Sequence, residues 1–371
     1  MKKFLSITRI HILLIVFLCS LSIGVNGQQG NLHSYGIFYD EDFTLRWVGL
    51  KKLNDDRNYT LGLGLHFSYP GLHRSFLFWP LQQLNKGLGA TANNGPEAVR
   101  SFMLANGSFT PVNISATEPV YNDRPFGSIT HLQTSTNYVD NNNYRKYSTT
   151  FSVGVIGTYL AREVQSFVHR NTGDRKPNGW HNQISDIWEP TLLASYGKER
   201  LINRKSCNAL LKRSTDKRLG IEVKHGWRAS LGYYTEGNYM FSIRTGRIDP
   251  RNWGYDVTPL FGSNKLSGSV TNRYSEYYLF ATARPYFTLY NALLNGQFVS
   301  SKHTLSFQQT RHLVFEFDAG LAANVVLGKE KDKSIDIKTK FSGHSPEFKL
   351  PGATERWHYY IGIDILFHCW K

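Results

Sequence analysis

Arg356-Trp357-His358-Tyr359-Tyr360-Ile361-Gly362-Ile363-Asp364-Ile365-Leu366-Phe367-His368-Cys369-Trp370 alternates residue by residue along its length. Tyr359, Ile361, Ile363, Ile365 and Phe367 fall on one side of an extended chain, and Tyr360, Gly362, Asp364 and Leu366 on the other, because successive strand side chains point to opposite faces. One face is wholly apolar while the other carries a charge in mid-strand. Other stretches repeat the pattern. Leu61, Leu63, Leu65 and Phe67 alternate with Gly62, Gly64 and His66; Ile221, Val223, His225 and Trp227 alternate with Glu222, Lys224, Gly226 and Arg228. Leu313, Phe315 and Phe317 oppose Val314, Glu316 and Asp318, and a long run from Tyr277 to Tyr290 behaves alike. A β-sandwich also alternates, but runs of ~10 or more residues suit a tilted strand crossing a membrane, with lipid on one face and a polar lumen on the other. The expected fold is all-β, an antiparallel transmembrane barrel of about 12 strands, an even number being usual for such chains. The final aromatic strand is expected to close it.

Composition agrees. The 371 residues include 21 Tyr, 23 Phe, 8 Trp and 32 Gly, yet mean hydropathy is −0.37. No stretch beyond the first residues reaches the ~18 consecutive apolar positions of a spanning helix. That first segment has the form of an export signal. Met1-Lys2-Lys3 is basic, and Ile10 to Ile23 is apolar apart from His11, Cys19, Ser20 and Ser22. Cleavage is expected after Gly27, making residues 1–27 a signal peptide and residues 28–371 a single barrel domain. Cys207 and Cys369 then remain, far apart, and are expected to be free thiols; no Cys/His spacing suggests structural zinc. The formal charge of +15 falls by three with the loss of Lys2, Lys3 and Arg9. Outside the cell such a balance complements phosphates or sugar acids rather than nucleic acid.

One segment departs from the strand pattern. Tyr159 to Arg170 is an amphipathic helix in sequence, with Leu160, Val164 and Phe167 on one face and Arg162, Gln165 and His169 on the other. Gln165 and His169 are four positions apart, so their amide and imidazole serve one small volume. Three polar clusters also stand out: Tyr39-Asp40-Glu41-Asp42-Phe43, Asn54-Asp55-Asp56-Arg57-Asn58-Tyr59-Thr60, and Tyr121-Asn122-Asp123-Arg124-Pro125-Phe126-Gly127-Ser128. Three consecutive acids call for a cation or an arginine, and a local ion pair would account for Asp123 and Arg124. No Gly-x-Ser-x-Gly elbow is present in a strand–helix setting, so a serine nucleophile is not indicated.

In this order the segments resemble the lipid A 3′-O-deacylases of Gram-negative outer membranes. The resemblance rests on the strand-one acids, Asn58-Tyr59-Thr60-Leu61-Gly62, Asp123-Arg124-Pro125-Phe126-Gly127 and Gly154-Val155-Ile156-Gly157. It continues through Glu163-Val164-Gln165, His169-Arg170, Gly173 and Pro177-Asn178-Gly179-Trp180-His181-Asn182-Gln183, covering residues ~35 to 190. It implies a twelve-stranded barrel with the active site between the wall and a helix near the outer surface. The implied activity is hydrolysis of the ester-linked 3′-acyloxyacyl group of lipid A, with Ca²⁺ as cofactor. His169 would be the general base, Gln165 would hold or orient the site, Thr60 would line it, and Asp42 and Glu41 would be metal-site carboxylates. Substrate and surroundings would be lipopolysaccharide and outer-membrane lipid, and the protein would act as a monomer. The chemistry is sound, since a neutral imidazole accepts a water proton near pH 7 and a hard cation stabilises an oxyanion.

Two departures stand out. The family has an Asn-Asp pair where this chain has Glu41-Asp42, and it carries a lysine in the loop here spelled Pro111-Val112-Asn113-Ile114-Ser115-Ala116-Thr117-Glu118-Pro119. If that lysine assists phosphate recognition, another cation replaces it or substrate preference differs. The competing readings are a catalytically silent barrel that binds lipopolysaccharide or forms a small pore, and a secreted carbohydrate-binding sandwich.

Overall fold

Twelve strands realise the alternation: β1 Leu32–Glu41, β2 Asn58–Ser68, β3 Val99–Thr110, β4 Gly127–Asp140, β5 Arg145–Ile156, β6 Glu189–Leu201, β7 Leu219–Gly232, β8 Tyr234–Arg247, β9 Glu276–Asn291, β10 Leu313–Leu327, β11 Lys333–His344 and β12 His358–Trp370. Each pairs with its sequence neighbours, and β1 pairs with β12 from Leu32↔Trp370 to Glu41↔Ile361, so the sheet closes with no free edge. The structure is a computed structural model and describes residues 32–42, 58–68, 72, 75–95, 98–172, 175–202, 219–249, 252–254, 275–328, 333–353 and 357–370. The expected signal peptide, Cys207 and most of the second polar cluster lie outside these residues. No described helix is long and apolar enough to cross a membrane; the strands do the crossing.

On β12 the two faces separate as the sequence predicts: Tyr360, Gly362, Asp364 and Leu366 are buried, whereas Ile363 and Phe367 are exposed. The interior is charged and paired. Lys340 meets Asp40 at 2.9 Å, Arg244 meets Glu222 at 2.7 Å, Lys146 meets Glu199 at 3.1 Å, and Arg284 contacts Asp318. Buried charges are tolerated only when paired in this way.

Antiparallel order places the connections after β3, β5, β7, β9 and β11 at the end of the barrel opposite Leu32 and Trp370. That mouth is filled. Ile184, Tyr233 and the short helix Ala292–Asn295 bring Ala292 and Leu293 into one buried cluster with Phe38, Tyr59, Phe109, Ile129, Ile156 and Tyr360. Beneath this plug lies a cavity of ≈ 140 Å³, lined by Lys198, Glu199, Arg228, Glu236, Arg284 and Glu316 among others.

Two further helices lie beside the wall, α1 (Trp79–Gly87) and α2 (Leu160–Thr172); the plug helix Ala292–Asn295 is α3. α1 and the 3₁₀ turn after it sit on the outward face of β4 and β5. Asn85 Nδ2 donates to Thr136 Oγ1 at 3.2 Å, and Asn93 Nδ2 donates to Thr149 Oγ1 at 2.7 Å.

Candidate active site

α2 follows β5, and its orientation differs from the one its sequence suggests for a helix facing water. The predicted apolar face is the open one, with Leu160 45% and Phe167 64% exposed, while Gln165 and His169 are 3% and 5% exposed. Ala161 anchors the buried side in a cluster with Ile114, Phe126 and Trp180. The reversal has a physical cause: this helix lies over a polar stretch of wall, so its polar edge turns inward.

That stretch belongs to β3 and β4. On β3, Met103, Ala105 and Phe109 face the interior core, so Asn106, Ser108 and Thr110 face outward. All three are buried, and α2 packs against β3. On β4, Ser128 and Thr130 share the outward face and bond upward into the loop after β5. Ser128 Oγ donates to Gln183 Oε1 at 2.9 Å, and Thr130 and Thr158 hydroxyls lie 3.0 Å apart. Thr60 joins this surface through a β-bulge. Tyr59 pairs with Phe109 and Leu61 with Ser108, leaving Thr60 as an extra residue. Its Oγ1 lies 2.6 Å from Thr110 Oγ1, on the outward face, while Tyr59 points inward and donates to Asp40 Oδ2 at 3.2 Å.

Within the crevice the two helix residues are held differently. His169 Nδ1 lies 2.6 Å from the carbonyl oxygen of Arg175. A carbonyl only accepts, so Nδ1 carries the proton, and Nε2 is left as the nitrogen that can exchange one. Gln165 Oε1 accepts from Trp180 Nε1 at 2.7 Å, fixing the amide so that its nitrogen is presented as a donor.

The three consecutive acids do not act as one group. Alternation splits them: Asp40 faces inward to Lys340 and Tyr59, and Glu41 faces outward, accepting from the Tyr39 hydroxyl. Asp42 sits in the bend after β1 and is buried. Since Glu41 pairs with Leu61, the next residues on the two strands are Asp42 and Thr60. Among the described residues no set of three or more His, Cys, Asp or Glu side chains gathers to hold a metal. The strand ends offer the carboxylates of Asp42 and Glu41 and the hydroxyls of Thr60 and Thr110, all oxygen donors of the kind Ca²⁺ takes.

The Asp-Arg-Pro segment is a scaffold rather than a local ion pair. The Asp123 carboxylate accepts from the backbone N–H groups of Val112 and Arg124, at 2.8 and 2.7 Å. Arg124 instead pairs with Glu347 at 3.2 Å and lies 4.4 Å over the Phe109 ring. Burial lowers the Arg124 pKa below the usual arginine value, and Glu347 opposes that shift. Two glycines of the quoted motifs are sterically required. A Cβ on Gly179 would strike Phe126, and one on Gly157, at φ +79°, would strike the Ser185 carbonyl. A lysine from far away in sequence reaches the segment that packs on the loop after β3: Lys302 Nζ donates to Asn182 Oδ1 at 2.9 Å, while Asn182 Nδ2 donates to Thr117 O at 2.7 Å. Spacing alone could not have found Lys302, since nothing near it in sequence is unusual.

A family model described as outer membrane protein LpxR matches residues 12–349. The chain belongs to the LpxR family. This is the lipid A 3′-O-deacylase family that the ordered motifs resemble, and the match runs well past those motifs into the C-terminal half. Among solved structures, LpxR from Salmonella typhimurium is similar at 19% identity with a TM-score of 0.65, covering 90% of this chain and 99% of that one. The β domain of the Bordetella autotransporter BrkA follows at 9% identity and a TM-score of 0.41, covering 93% and 100%. No curated protein matches the sequence. An LpxR-family barrel of twelve strands places the protein in the outer membrane, as a lipid A deacylase-like protein.

Proposed function

We propose that this protein hydrolyses the ester-linked 3′-acyloxyacyl group of lipid A. The observation that carries the reading is His169, an imidazole fixed at Nδ1 by the Arg175 carbonyl and enclosed between α2 and the wall. Its Nε2 is the atom that takes a proton from water as the water attacks the ester carbonyl. Gln165, clamped by Trp180, offers its amide N–H groups to the substrate or to the oxyanion. Asp42, with Thr60 beside it, would hold Ca²⁺, Glu41 standing on the adjoining outward face. When bound, Ca²⁺ would stabilise negative charge on the ester oxygen. The signal peptide is removed on export, and the mature barrel acts as a monomer.

A pore is the weaker reading, since the outer mouth is closed by Ile184, Ala292 and Leu293. Mass spectrometry of lipid A from cells with and without the protein tests the proposal. Loss of the 3′-acyloxyacyl mass is expected with the wild-type chain and not with His169→Ala. Unchanged lipid A in both cases would leave a barrel without this activity.

A further inference from the structure

The inverted burial of α2 leaves an apolar surface that needs an occupant. Leu160 and Phe167 are exposed on the helix, and so are Tyr159 just before it and Ile187 and Trp188 at the end of the same loop. Tyr159 and Trp188 meet edge to face, with ring centroids 6.2 Å apart. Tyr159 lies three residues beyond β5, and Trp188 directly precedes β6, so the patch stands on the seam between those strands. Below it the seam continues with Val153 and Leu192, which are register partners and both exposed on the outward face. The patch is therefore continuous with the lipid-facing wall. Arg170, Arg175 and Lys176 are also exposed nearby, the combination of apolar edge and basic flank by which a helix lies in a membrane interface.

We propose that α2 lies in the plane of the membrane, with Leu160 and Phe167 against the acyl chains of membrane lipid. The crevice holding Gln165 and His169 then opens sideways to lipid and not upward to water. This deepens the deacylase reading, resting on it only for the role of the crevice; the membrane contact itself needs no hydrolysis. The occupant follows from continuity with the wall, because acyl chains already cover Val153 and Leu192 in a membrane-embedded barrel.

The test uses the mature chain with Cys207→Ser and Cys369→Ser, reconstituted in phosphatidylcholine vesicles. An environment-sensitive fluorophore is attached at Phe167→Cys, at Leu160→Cys, at Leu192→Cys on the wall, or at Asn142→Cys in the exposed turn after β4. Labels at 160 and 167 are expected to emit to the blue and to lose most of their intensity to spin-labelled lipid, as the label at 192 does. Emission at both helix positions matching that at 142 would overturn the proposal, and would point to a partner other than lipid. Because quenching needs no turnover, a quenched helix with inactive protein removes the deacylase reading alone. An active protein with an unquenched helix removes the membrane contact alone.

Discussion

On β8, β9 and β10 the outward side chains Phe241, Ile243, Leu279, Phe287 and Leu321 are exposed, whereas on β3 and β4 the outward Asn106, Ser108, Thr110, Ser128, Thr134 and Thr136 are buried. Both regions alternate with the same period, and both have a closed interior behind them. They differ in what lies outside. A bare wall in hydrocarbon can carry only apolar groups, since unpaired polar atoms there are costly. A polar wall is possible only under cover, and here α1 and α2 supply it. The polar, covered sector is where an ester and a water could meet beside the membrane without either being stranded in lipid.

The sharpest way to break this contrast is to disarm the covered sector while leaving the bare one intact. His169→Ala is expected to lower acyl release from lipid A by ~10²–10⁴-fold, the usual worth of a general base. Barrel migration on unheated gels should not change. Activity near wild type would show that the crevice is structural. Chelation is expected to act on the same sector: removing Ca²⁺ from purified protein should abolish acyl release, and adding it back should restore turnover. Turnover that persists at full rate in chelator would remove the metal from the proposal.

The bare sector is probed by charge. Leu279→Arg, outward on β9, should destabilise the barrel by ~2–4 kcal/mol if the position lies near the bilayer midplane, read from urea unfolding in vesicles. A change near zero would mean that β9 does not meet hydrocarbon there. The smallest effect is expected from Trp180→Phe, which keeps an aromatic ring beside Phe126 but removes the donor to Gln165 Oε1. A loss of ~0.5–1.5 kcal/mol is the net worth of such a bond. It should show as a severalfold fall in kcat with KM little altered, because Gln165 is then less well held.

The barrel was legible because a period of two needs only one strand to be read. β12 shows it directly: Asp364 and Phe367 fall on the faces their positions assign. The helix was legible as a helix, but only the resemblance, and not its helical wheel, set the Gln165 and His169 edge toward the wall. A helical wheel assumes water outside, and α2 has a polar wall on one side and the membrane side on the other, so its apolar edge turns out. The partners of buried charges were also out of reach. Asp40 finds Lys340 and Arg124 finds Glu347 only because closure brings strands from opposite ends of the chain together. The ordered motifs still marked Thr60, Gln165 and His169, whose roles are those proposed above and whose placement depends on short-range geometry: one bulge, one helical turn and one carbonyl at Arg175.

The bulge at Thr60 makes the end of β2 a counting device. With the extra residue, Tyr59 serves the interior and Thr60 the outer crevice. Deleting Thr60 would set Tyr59 and Leu61 next to each other opposite Phe109 and Ser108: Asp40 would keep its tyrosine hydroxyl, and the crevice would lose its small alcohol. Chain length at this single point, more than the identity of its neighbours, decides whether the crevice carries a hydroxyl beside Thr110. Homologues that keep the crevice should therefore tolerate substitutions around Thr60 far better than insertions or deletions.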